Sequence, residues 1–467
     1  MRRKEHDFLG EIEIPNHHYY GIQTMRAREN FNITGTPISK EPFFIQAFGY
    51  VKKAAALANR DCGVMDEKIC EAICFACDKI IAGEYLDEFV TDMIQGGAGT
   101  SCNMNANEVI ANIGLEYLGH KKGEYKYLHP NNHVNFSQST NDAYPTAFRL
   151  ALYRKIETFI IAQQLLVETL FKKGEEFKNV LKMGRTQLQD AVPMTLGMEF
   201  RSYGVTVRED IQRMREVQQL ITEINMGATA IGTGINAPQE YSKVVTKYIK
   251  DLSGIPVTIA EDLIEATYDT GAYVQISGTL KRCAVKLSKI CNDLRLLSSG
   301  PRCGFNEINL PQMQPGSSIM PGKVNPVIPE VISQTCYYVI GADMTITMAA
   351  EAGQLELNVM EPVIAFSLFT SLEYLTKAIK TLADKCIVGI TANEEVCRAM
   401  VMNSVGIVTS LNPILGYEKS GEIAKEALQT GKSVYQIAVK ERLLITQEKW
   451  DEIYSIDNMI NPKFISN

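Results

Sequence analysis

The chain reads TAFRLALYRKIETFIIAQQLLVETLFKK from Thr146 to Lys173, without a glycine or a proline. Its apolar side chains recur three, four and seven residues apart, at Phe148, Leu152, Ile156, Phe159, Leu166 and Leu170. Residues at this spacing share one face of an α-helix. The stretch therefore predicts a helix on the order of 40 Å long that begins near Pro145.

Further segments show the same pattern, so the sequence predicts a mainly α protein. They are Val205–Met226, Thr279–Ser299, Glu330–Ala352 and Val363–Val388. Strand-like stretches are sparse and short. The segments together predict a long central helical bundle. Because a bundle of about five such helices leaves apolar stripes uncovered, we expect a homo-oligomer.

The pattern changes along the chain predict a three-domain subunit. A mixed, mostly helical N-terminal domain covers residues 1–141, and the long-helix bundle domain covers residues 142–390. A small C-terminal helical domain covers residues 391–467, where glycines and a proline recur at short intervals and predict shorter elements.

The composition excludes several classes of function. The formal net charge of -7 offers no basic surface for nucleic acid, and no stretch is long and apolar enough to span a bilayer. The N-terminus lacks the apolar core of a signal peptide. The eleven cysteines are an odd number scattered along the chain, which fits a reducing compartment. We therefore expect a cytoplasmic protein that binds neither nucleic acid nor membranes.

One polar loop is the strongest candidate for a functional site. Residues Gly316–Pro326 read GSSIMPGKVNP, which fits neither a helix nor a strand. Ser317 and Ser318 supply hydroxyls, Lys323 supplies a positive charge, and the glycines let the backbone approach a ligand. These groups suit a small anion, although a polar surface turn is the alternative reading.

Three other segments are also unexpectedly polar. They are GGAGTSCNMNANEV at residues 96–109, HVNFSQSTNDAYPT at residues 133–146 and GRTQLQDAVPMT at residues 184–195. Polar residues before the long helix serve either as helix caps or as anion contacts, and those after Gly184 read equally well as a turn. Since the segments are rich in hydroxyls, amides and cations, they fit one pocket for a small molecule with several carboxylates.

Histidines and cysteines narrow the chemistry further. All six histidines lie before residue 134 and no GxSxG motif occurs, which argues against a Ser-His-Asp hydrolase. Cys70, Cys74 and Cys77 stand at helical spacing and indicate a buried helix face rather than a metal site. No metal site is predicted.

The chain resembles the fumarase/aspartase superfamily over essentially its whole length. The superfamily signature GSSxMPxKxNP is complete at Gly316–Pro326. The resemblance extends through YYGIQTMRARENF at Tyr19–Phe31, SGPRCGFNEINLP at Ser299–Pro311 and EAGQLELNVMEPV at Glu351–Val363. Gln187 directly after GRT, together with STND at Ser139–Asp142, is similar to the aspartate ammonia-lyase branch, whereas fumarases typically carry a histidine and SSND.

The resemblance implies a fold, an assembly and a reaction. It implies a fumarase/aspartase-like helical subunit, a homotetramer, and active sites shared among three subunits. The implied reaction is the reversible deamination of L-aspartate to fumarate and ammonia, through an enediolate intermediate. No cofactor is required, and activation by magnesium is left open.

The resemblance also implies residue roles. Ser317 is the general base, and Lys323 with backbone N–H groups of the loop stabilises its oxyanion. The implied β-carboxylate contacts are Thr100, Ser139, Thr140 and Ser318, the α-carboxylate contacts are Thr186, Lys323 and Asn325, and the amino-group contact is Asn141. Gln187 replaces a histidine contact of the fumarases, and Glu330 is kept for structure.

Two alternatives remain at this point. One is a class II fumarase, which an assay with malate in place of aspartate would identify. The other is a non-catalytic helical scaffold, against which the complete serine loop argues.

Overall fold

The computed structural model of the chain describes residues 2–460. Long helices dominate it, and the helices in chain order are α1 (Ile22–Asn30), α2 (Pro42–Asp61), α3 (Glu67–Ile81), α4 (Thr100–Tyr117), α5 (Thr140–Glu176), α6 (Leu196–Gln219), α7 (Tyr241–Ser253), α8 (Glu265–Tyr268), α9 (Gly271–Leu297), α10 (Val327–Glu351), α11 (Glu361–Lys385), α12 (Glu394–Asn403), α13 (Asn412–Leu415), α14 (Tyr417–Thr430), α15 (Gln447–Ile453) and α16 (Ile456–Ile460).

The strands form small two-stranded sheets. They are β1 (Arg2–Asp7) with β2 (Gly10–Pro15), β3 (Leu181–Thr186) with β4 (Gln189–Thr195), β5 (Glu223–Ile224) with β6 (Thr258–Ile259), and β7 (Ile308–Asn309) with β8 (Thr391–Ala392). Only the β5–β6 pair is parallel. The mainly α prediction is confirmed. Within residues 2–460, no helix has the length and apolarity needed to cross a membrane.

The predicted start of the longest helix was wrong, because Pro145 lies inside α5 rather than before it. Proline has no N–H, so it leaves the carbonyl oxygen four residues earlier, that of Asn141, without its helical partner. The side chain of Asn225 supplies the missing donor, with Nδ2 3.0 Å from Asn141 O. The helix therefore continues through the proline.

The predicted bounds of α6 were also wrong. The sequence reading began the helix at Val205, after Gly204, whereas α6 begins at Leu196. A Cβ on Gly204 would lie 2.7 Å from the ring of Phe171, and one on Gly197 would lie 2.4 Å from the carbonyl oxygen of Gly174. These glycines allow α6 to pack closely against the end of α5, so they do not mark a helix boundary.

The chain divides into two compact units. One contains residues 2–161, 210–284 and 336–376, and the other contains residues 162–209, 285–335 and 377–460. The long helices α5, α6, α9, α10 and α11 each contribute residues to both units. The three-domain division with boundaries at 141 and 390 stays a prediction.

The first unit has an aromatic core. Phe44 and Phe48 of α2 contact the ring of Tyr144 in α5, and Phe369 of α11 packs edge-on against Phe44. Phe148 and Tyr273 extend the same cluster. Helix α3 packs beside α2, with Cys70 and Cys77 on its buried face and Cys74 half-buried.

The second unit has a separate apolar cluster in its C-terminal part. The short helices α12 to α16 enclose Trp450, the only tryptophan of the chain, together with residues such as Ile423 and Ile437. Leu181 and Met183 of β3 belong to the same cluster. The C-terminal region is therefore the support on which the β3–β4 hairpin rests, and its short helices agree with the sequence prediction.

Candidate active site

The starts of α4 and α5 lie against each other in the first unit. Thr100 is the first residue of α4 and Thr140 the first of α5. A Cβ on Gly99 would lie 2.2 Å from the ring of Tyr144, so only a glycine fits between the two helices. Free backbone N–H groups at helix starts attract anions. The structure thus brings two predicted site segments together at an electropositive place.

Ser139 caps α5. Its Oγ accepts a hydrogen bond from Asn141 N at 3.2 Å, and Asp142 Oδ1 accepts one from Ser139 N at 2.9 Å. This reciprocal pair is a capping box. The capping reading of the sequence is therefore correct for Ser139, and its hydroxyl hydrogen remains available as a donor.

Asp142 fixes the turn that lies beside this helix start. Its Oδ2 accepts hydrogen bonds from Gly227 N at 3.1 Å and Thr229 N at 3.0 Å. Burial raises the pKa of Asp142 to about 6, although these N–H groups and the one from Ser139 favour the charged form. The carboxyl is a structural anchor that the sequence reading missed, and the Ser-x-x-Asp spacing of a capping box was the available signal.

The side chain of Asn141 has a defined orientation. Its Nδ2 donates to the carbonyl oxygen of Ala230 at 2.8 Å. A carbonyl only accepts, so the amide nitrogen must face Ala230 and Oδ1 must face away. Asn141 can therefore offer an acceptor to a ligand, as a contact to an ammonium group requires.

Thr140 and Thr100 differ in how their hydroxyls are used. Asn103 Nδ2 donates to Thr140 Oγ1 at 3.2 Å, so the Thr140 hydroxyl can donate its own hydrogen to a further group. The hydroxyl of Thr100 already donates to Gly97 O at 2.7 Å. Asn105, in the same polar segment, is structural, because it bonds the backbone of Glu88 and of Val90.

Thr186 and Gln187 lie at the tip of the β3–β4 hairpin in the second unit. Thr186 pairs with Gln189, so Gln187 and Leu188 form a two-residue turn, with φ angles of 54° and 62°. Such turns favour Asn-Gly, because other side chains are strained at positive φ. Both residues are exposed. The sequence predicted a polar turn here but not the hairpin.

A buried carboxylate anchors this hairpin. Glu307 is fully buried, with its oxygens 3.0 Å from Lys182 Nζ and 2.6 Å from a guanidinium nitrogen of Arg185. These contacts are close ion pairs without the alignment of hydrogen bonds. Lys182 also pairs with Glu199 at 2.5 Å. The position of Thr186 and Gln187 therefore depends on a charge network that the sequence reading missed.

The loop Gly316–Pro326 is irregular, as predicted, and is closed at its base. Gly316 N donates to Lys323 O at 2.7 Å, and Asn325 Nδ2 donates to Gly316 O at 2.6 Å. A Cβ on Gly316 would lie 2.6 Å from Lys323 O, so the closure requires glycine at this position. The side chain of Asn325 is thus part of the loop's own structure.

The hydroxyl of Ser317 accepts two backbone hydrogen bonds. Its Oγ lies 3.2 Å from Ile319 N and 3.0 Å from Met320 N. Ser317 and Lys323 both line a cleft of about 570 Å³, and Ser318 is exposed. No carboxylate pairs with Lys323 in the part of the chain that the structure describes. The loop therefore combines a hydroxyl supported by N–H donors with an unpaired cation.

The predicted site residues thus fall into three groups. Thr100, Ser139, Thr140 and Asn141 form one group in the first unit, Thr186 and Gln187 form the hairpin group, and Ser317, Ser318, Lys323 and Asn325 form the loop group of the second unit. Across residues 2–460, no three His, Cys, Asp or Glu side chains converge to hold a metal ion.

Comparison with known proteins identifies the family. Residues 10–341 match the Lyase family model, and residues 407–461 match the Fumarase C C-terminus model. The fold is similar to a fumarate lyase:delta crystallin from Brucella melitensis, at 50% identity and a TM-score of 0.95 over 98% of this chain and 99% of that one. It is also similar to a class II fumarase from Schistosoma mansoni, at 34% identity and a TM-score of 0.93 over 99% and 100%. The chain belongs to the fumarase/aspartase superfamily of lyases.

Curated relatives define the branch. An aspartate ammonia-lyase of Helicobacter pylori is 58% identical over 460 residues, with 98% of each chain covered. One of Escherichia coli is 55% identical over 463 residues, covering 99% of this chain and 97% of the relative. The assignment to the aspartate ammonia-lyase branch, made from Gln187 and the STND segment, is confirmed.

Proposed function

We propose that the protein catalyses the reversible deamination of L-aspartate to fumarate and ammonia. A base removes a proton from the carbon beside the β-carboxylate, the carbon–nitrogen bond breaks, and the double bond of fumarate forms. The proton is very weakly acidic, so the β-carboxylate must accept a second negative charge as an enediolate. Donors held in place before the reaction lower the energy of that charge.

The assignment of Ser317 as the base rests on the two backbone N–H groups that donate to its Oγ. A serine can act as a base only as an oxyanion, and its usual pKa is far too high. The N–H groups of Ile319 and Met320 favour the charged oxygen, and Lys323 in the same cleft adds a positive charge. Closure of the loop over substrate would exclude water and strengthen these contacts.

The remaining polar groups match the other parts of aspartate. The hydroxyls of Ser139, Thr140 and Ser318 are the donors that we assign to the β-carboxylate. The hydroxyl of Thr100 joins them only by giving up its hydrogen bond to Gly97 O. Thr186, Lys323 and Asn325 bind the α-carboxylate, and Asn141 Oδ1 accepts from the amino group. Gln187 stands where an imidazole is not needed, because ammonia is a better leaving group than hydroxide. Glu330 keeps a structural role.

We propose a homotetramer with active sites shared among three subunits. Helix α10 supports an oligomer, because Tyr337, Met344 and Met348 are 56%, 62% and 66% exposed at a spacing of seven and four residues. Such an apolar stripe marks a surface that another chain covers. A native mass measurement tests the assembly. The cytoplasmic location stays a prediction.

The serine assignment is tested by Ser317→Ala. The variant should lose about 10³-fold or more in kcat, since a positioned base contributes about 10²–10⁴-fold. Its native mass and its affinity for fumarate should stay close to those of the wild type. Ser202→Ala, at an exposed helical serine, is the matched control and should remain active. Near-full activity of Ser317→Ala would refute the assignment.

The substrate is tested by supplying L-aspartate or malate and following fumarate, with and without Mg²⁺. Release of fumarate from malate alone would overturn the proposal in favour of a fumarase. The magnesium arm tests whether the metal activates. A Gln187→His variant that gains fumarate hydration would support the role of Gln187 in separating the two reactions.

A further inference from the structure

A lysine is completely buried near the start of α5. Lys52 lies on the face of α2 that also carries Phe48 and Asn59, and it is 0% exposed. Its Nζ lies 2.6 Å from Asn103 Oδ1, 3.0 Å from Asn135 Oδ1 and 2.9 Å from Gln138 Oε1. Three acceptors match the three N–H groups of an ammonium, whereas a neutral amine has only two. The geometry is therefore that of a buried cation.

Burial disfavours the charged form of Lys52. Burial lowers the pKa of Lys52 to about 7, and the titratable groups that oppose this shift are Asp142 on α5 and Cys77 on α3. The groups that bond its Nζ from α4 and from residues 135–138 are neutral amides. Filling this space does not require a charge, and taking a charge out of water costs free energy even when the charge is hydrogen-bonded. The charge therefore needs another explanation.

The contacts of Asn103 connect the cation to a predicted substrate residue. Asn103 Oδ1 accepts from Lys52, and its Nδ2 donates to Thr140 Oγ1 at 3.2 Å. A positive charge on the oxygen side of an amide makes its N–H groups stronger donors, and a hydroxyl that accepts such a bond becomes a stronger donor in turn. The hydrogen-bonded path thus runs from the Lys52 ammonium to the Thr140 hydroxyl through a single amide, that of Asn103.

The other two contacts hold the segment that precedes Thr140. Gln138 Nε2 donates to the carbonyl oxygens of Val134 and Phe136, at 3.0 and 3.2 Å. Asn135 Oδ1 also accepts from Asn103 and Asn107. Lys52 therefore holds α4 to the segment that leads into α5.

We propose that Lys52 is a positioning residue that polarises Thr140, through Asn103, toward the β-carboxylate of the substrate. This inference rests on the proposed function, in which Thr140 contacts that carboxylate. The charge of the carboxylate grows as the enediolate forms, so the buried cation acts most strongly in the transition state. Bound dicarboxylate also favours the protonated lysine, so binding should be coupled to proton uptake.

The first test compares Lys52→Met with Lys53→Met. Lys53 is the matched control, because it is adjacent on α2 but pairs with Asp78 at the surface. Lys52→Met should lower kcat about 10–100-fold, the range for residues that support a first contact, with a smaller change in KM. Lys53→Met should match the wild type. Equal loss in both variants, or a change confined to KM, would overturn the inference.

The second test measures proton uptake when fumarate binds. Calorimetry at about pH 8 in two buffers of different ionisation enthalpy gives the number of protons taken up. The wild type should take up a fraction of a proton per site more than Lys52→Met. Fumarate binding with equal uptake in both would overturn the inference and leave the proposed function standing. Absence of fumarate binding by the wild type would instead overturn the proposed function.

Asn103→Ala is the second variant if Lys52→Met does not fold. It removes the connection to Thr140 while two of the three oxygens around Lys52 remain. We expect kcat to fall as in Lys52→Met, and proton uptake to fall below that of the wild type. An Asn103→Ala enzyme with wild-type kcat and uptake would refute the proposed path.

Discussion

Glu307→Gln should loosen the hairpin that carries Thr186 and Gln187. Glu307 is fully buried between Lys182 and Arg185, and its carbonyl oxygen accepts from the backbone N–H of Asn393. The substitution keeps the size of the side chain but removes its charge. Lys182 retains Glu199 as a partner, whereas Arg185 loses the carboxylate that it contacts.

The expected size of the effect follows from these contacts. Removing one partner of a buried ion pair costs about 3–5 kcal/mol. The amide keeps one acceptor oxygen, and a hydrogen bond to it contributes about 1 kcal/mol. We therefore expect the free energy of unfolding of the second unit to fall by about 2–4 kcal/mol. With a urea slope of about 2 kcal/mol per molar, the midpoint should fall by about 1–2 M.

The fluorescence of Trp450 is the appropriate measurement. A chain with two compact units need not unfold in one step, so the reporter must lie in the unit that is perturbed. Trp450 lies in the same cluster as Leu181 and Met183 of β3. Its emission therefore follows the support of the hairpin during urea unfolding. In the assay with aspartate, the KM should rise as well.

Glu175→Gln is the matched control. Glu175 pairs with Lys178 at 3.6 Å, and both side chains are largely exposed. Exposed pairs contribute about 0–1 kcal/mol, so the Trp450 transition of this variant should overlay that of the wild type. A Glu307→Gln midpoint equal to that of Glu175→Gln would refute the argument that the buried network anchors the hairpin.

Three further substitutions have defined outcomes. Burial raises the pKa of Glu361 to about 8. The contribution of this group to stability is therefore fully present below about pH 4.5 and is lost as the pH rises through 8. Glu361→Gln should accordingly raise the thermal midpoint more at about pH 9 than at about pH 5. Gly316→Ala should lower kcat at least about tenfold, since a 1 Å displacement of a reacting group costs about 10²-fold, and should leave the Trp450 transition unchanged because the loop is outside that cluster. Leu188→Gly should stabilise the hairpin by about 0.5–1 kcal/mol in urea unfolding, because the leucine is 63% exposed at positive φ.

Each of these has a control of the same chemical type. Glu356→Gln, at an exposed glutamate, should show no pH-dependent gain, and an equal gain there would argue against burial as the cause. Gly421→Ala has open space around its Cβ, so the enzyme should stay active. Leu428→Gly, in α14, should lose about 0.5–1 kcal/mol, and a loss of the same sign at Leu188 would contradict the strain argument.

The sequence predicted the long helices but not all of their ends. Helical periodicity identified α9, α10 and α11, because the apolar face of a helix repeats every three to four residues whatever that face packs against. The ends of α5 and α6 were missed because Pro145 and Gly204 are normally helix boundaries. Both exceptions come from contacts distant in sequence, the Asn225 amide in one case and the Phe171 ring in the other. Local sequence patterns contain no information about such contacts.

The site was predictable in its residues but not in its supports. The signature loop and the STND segment identified the polar groups directly. Lys52 was missed because the pair of lysines at 52 and 53 reads as an exposed surface, although Phe48 and Asn59 stand on the same helical face. The hairpin was missed because Gln187–Leu188 lacks the Asn-Gly chemistry of tight turns. Residues that hold a site through contacts distant in sequence can be recognised only when the structure shows those contacts.

The fixed amide of Asn141 has a consequence for substrate discrimination. Its main-chain oxygen is taken by Asn225 and its side-chain nitrogen by Ala230, so the amide cannot rotate to exchange its oxygen for its nitrogen. In the proposed complex, a 2-oxo acid would bring a carbonyl oxygen against Oδ1, and neither atom could donate. A 2-hydroxy acid could still donate its hydrogen. Oxaloacetate should therefore inhibit more weakly than malate. In the proposed complex, Asn141 thus discriminates between ligands by the oxidation state of the carbon that carries nitrogen in aspartate.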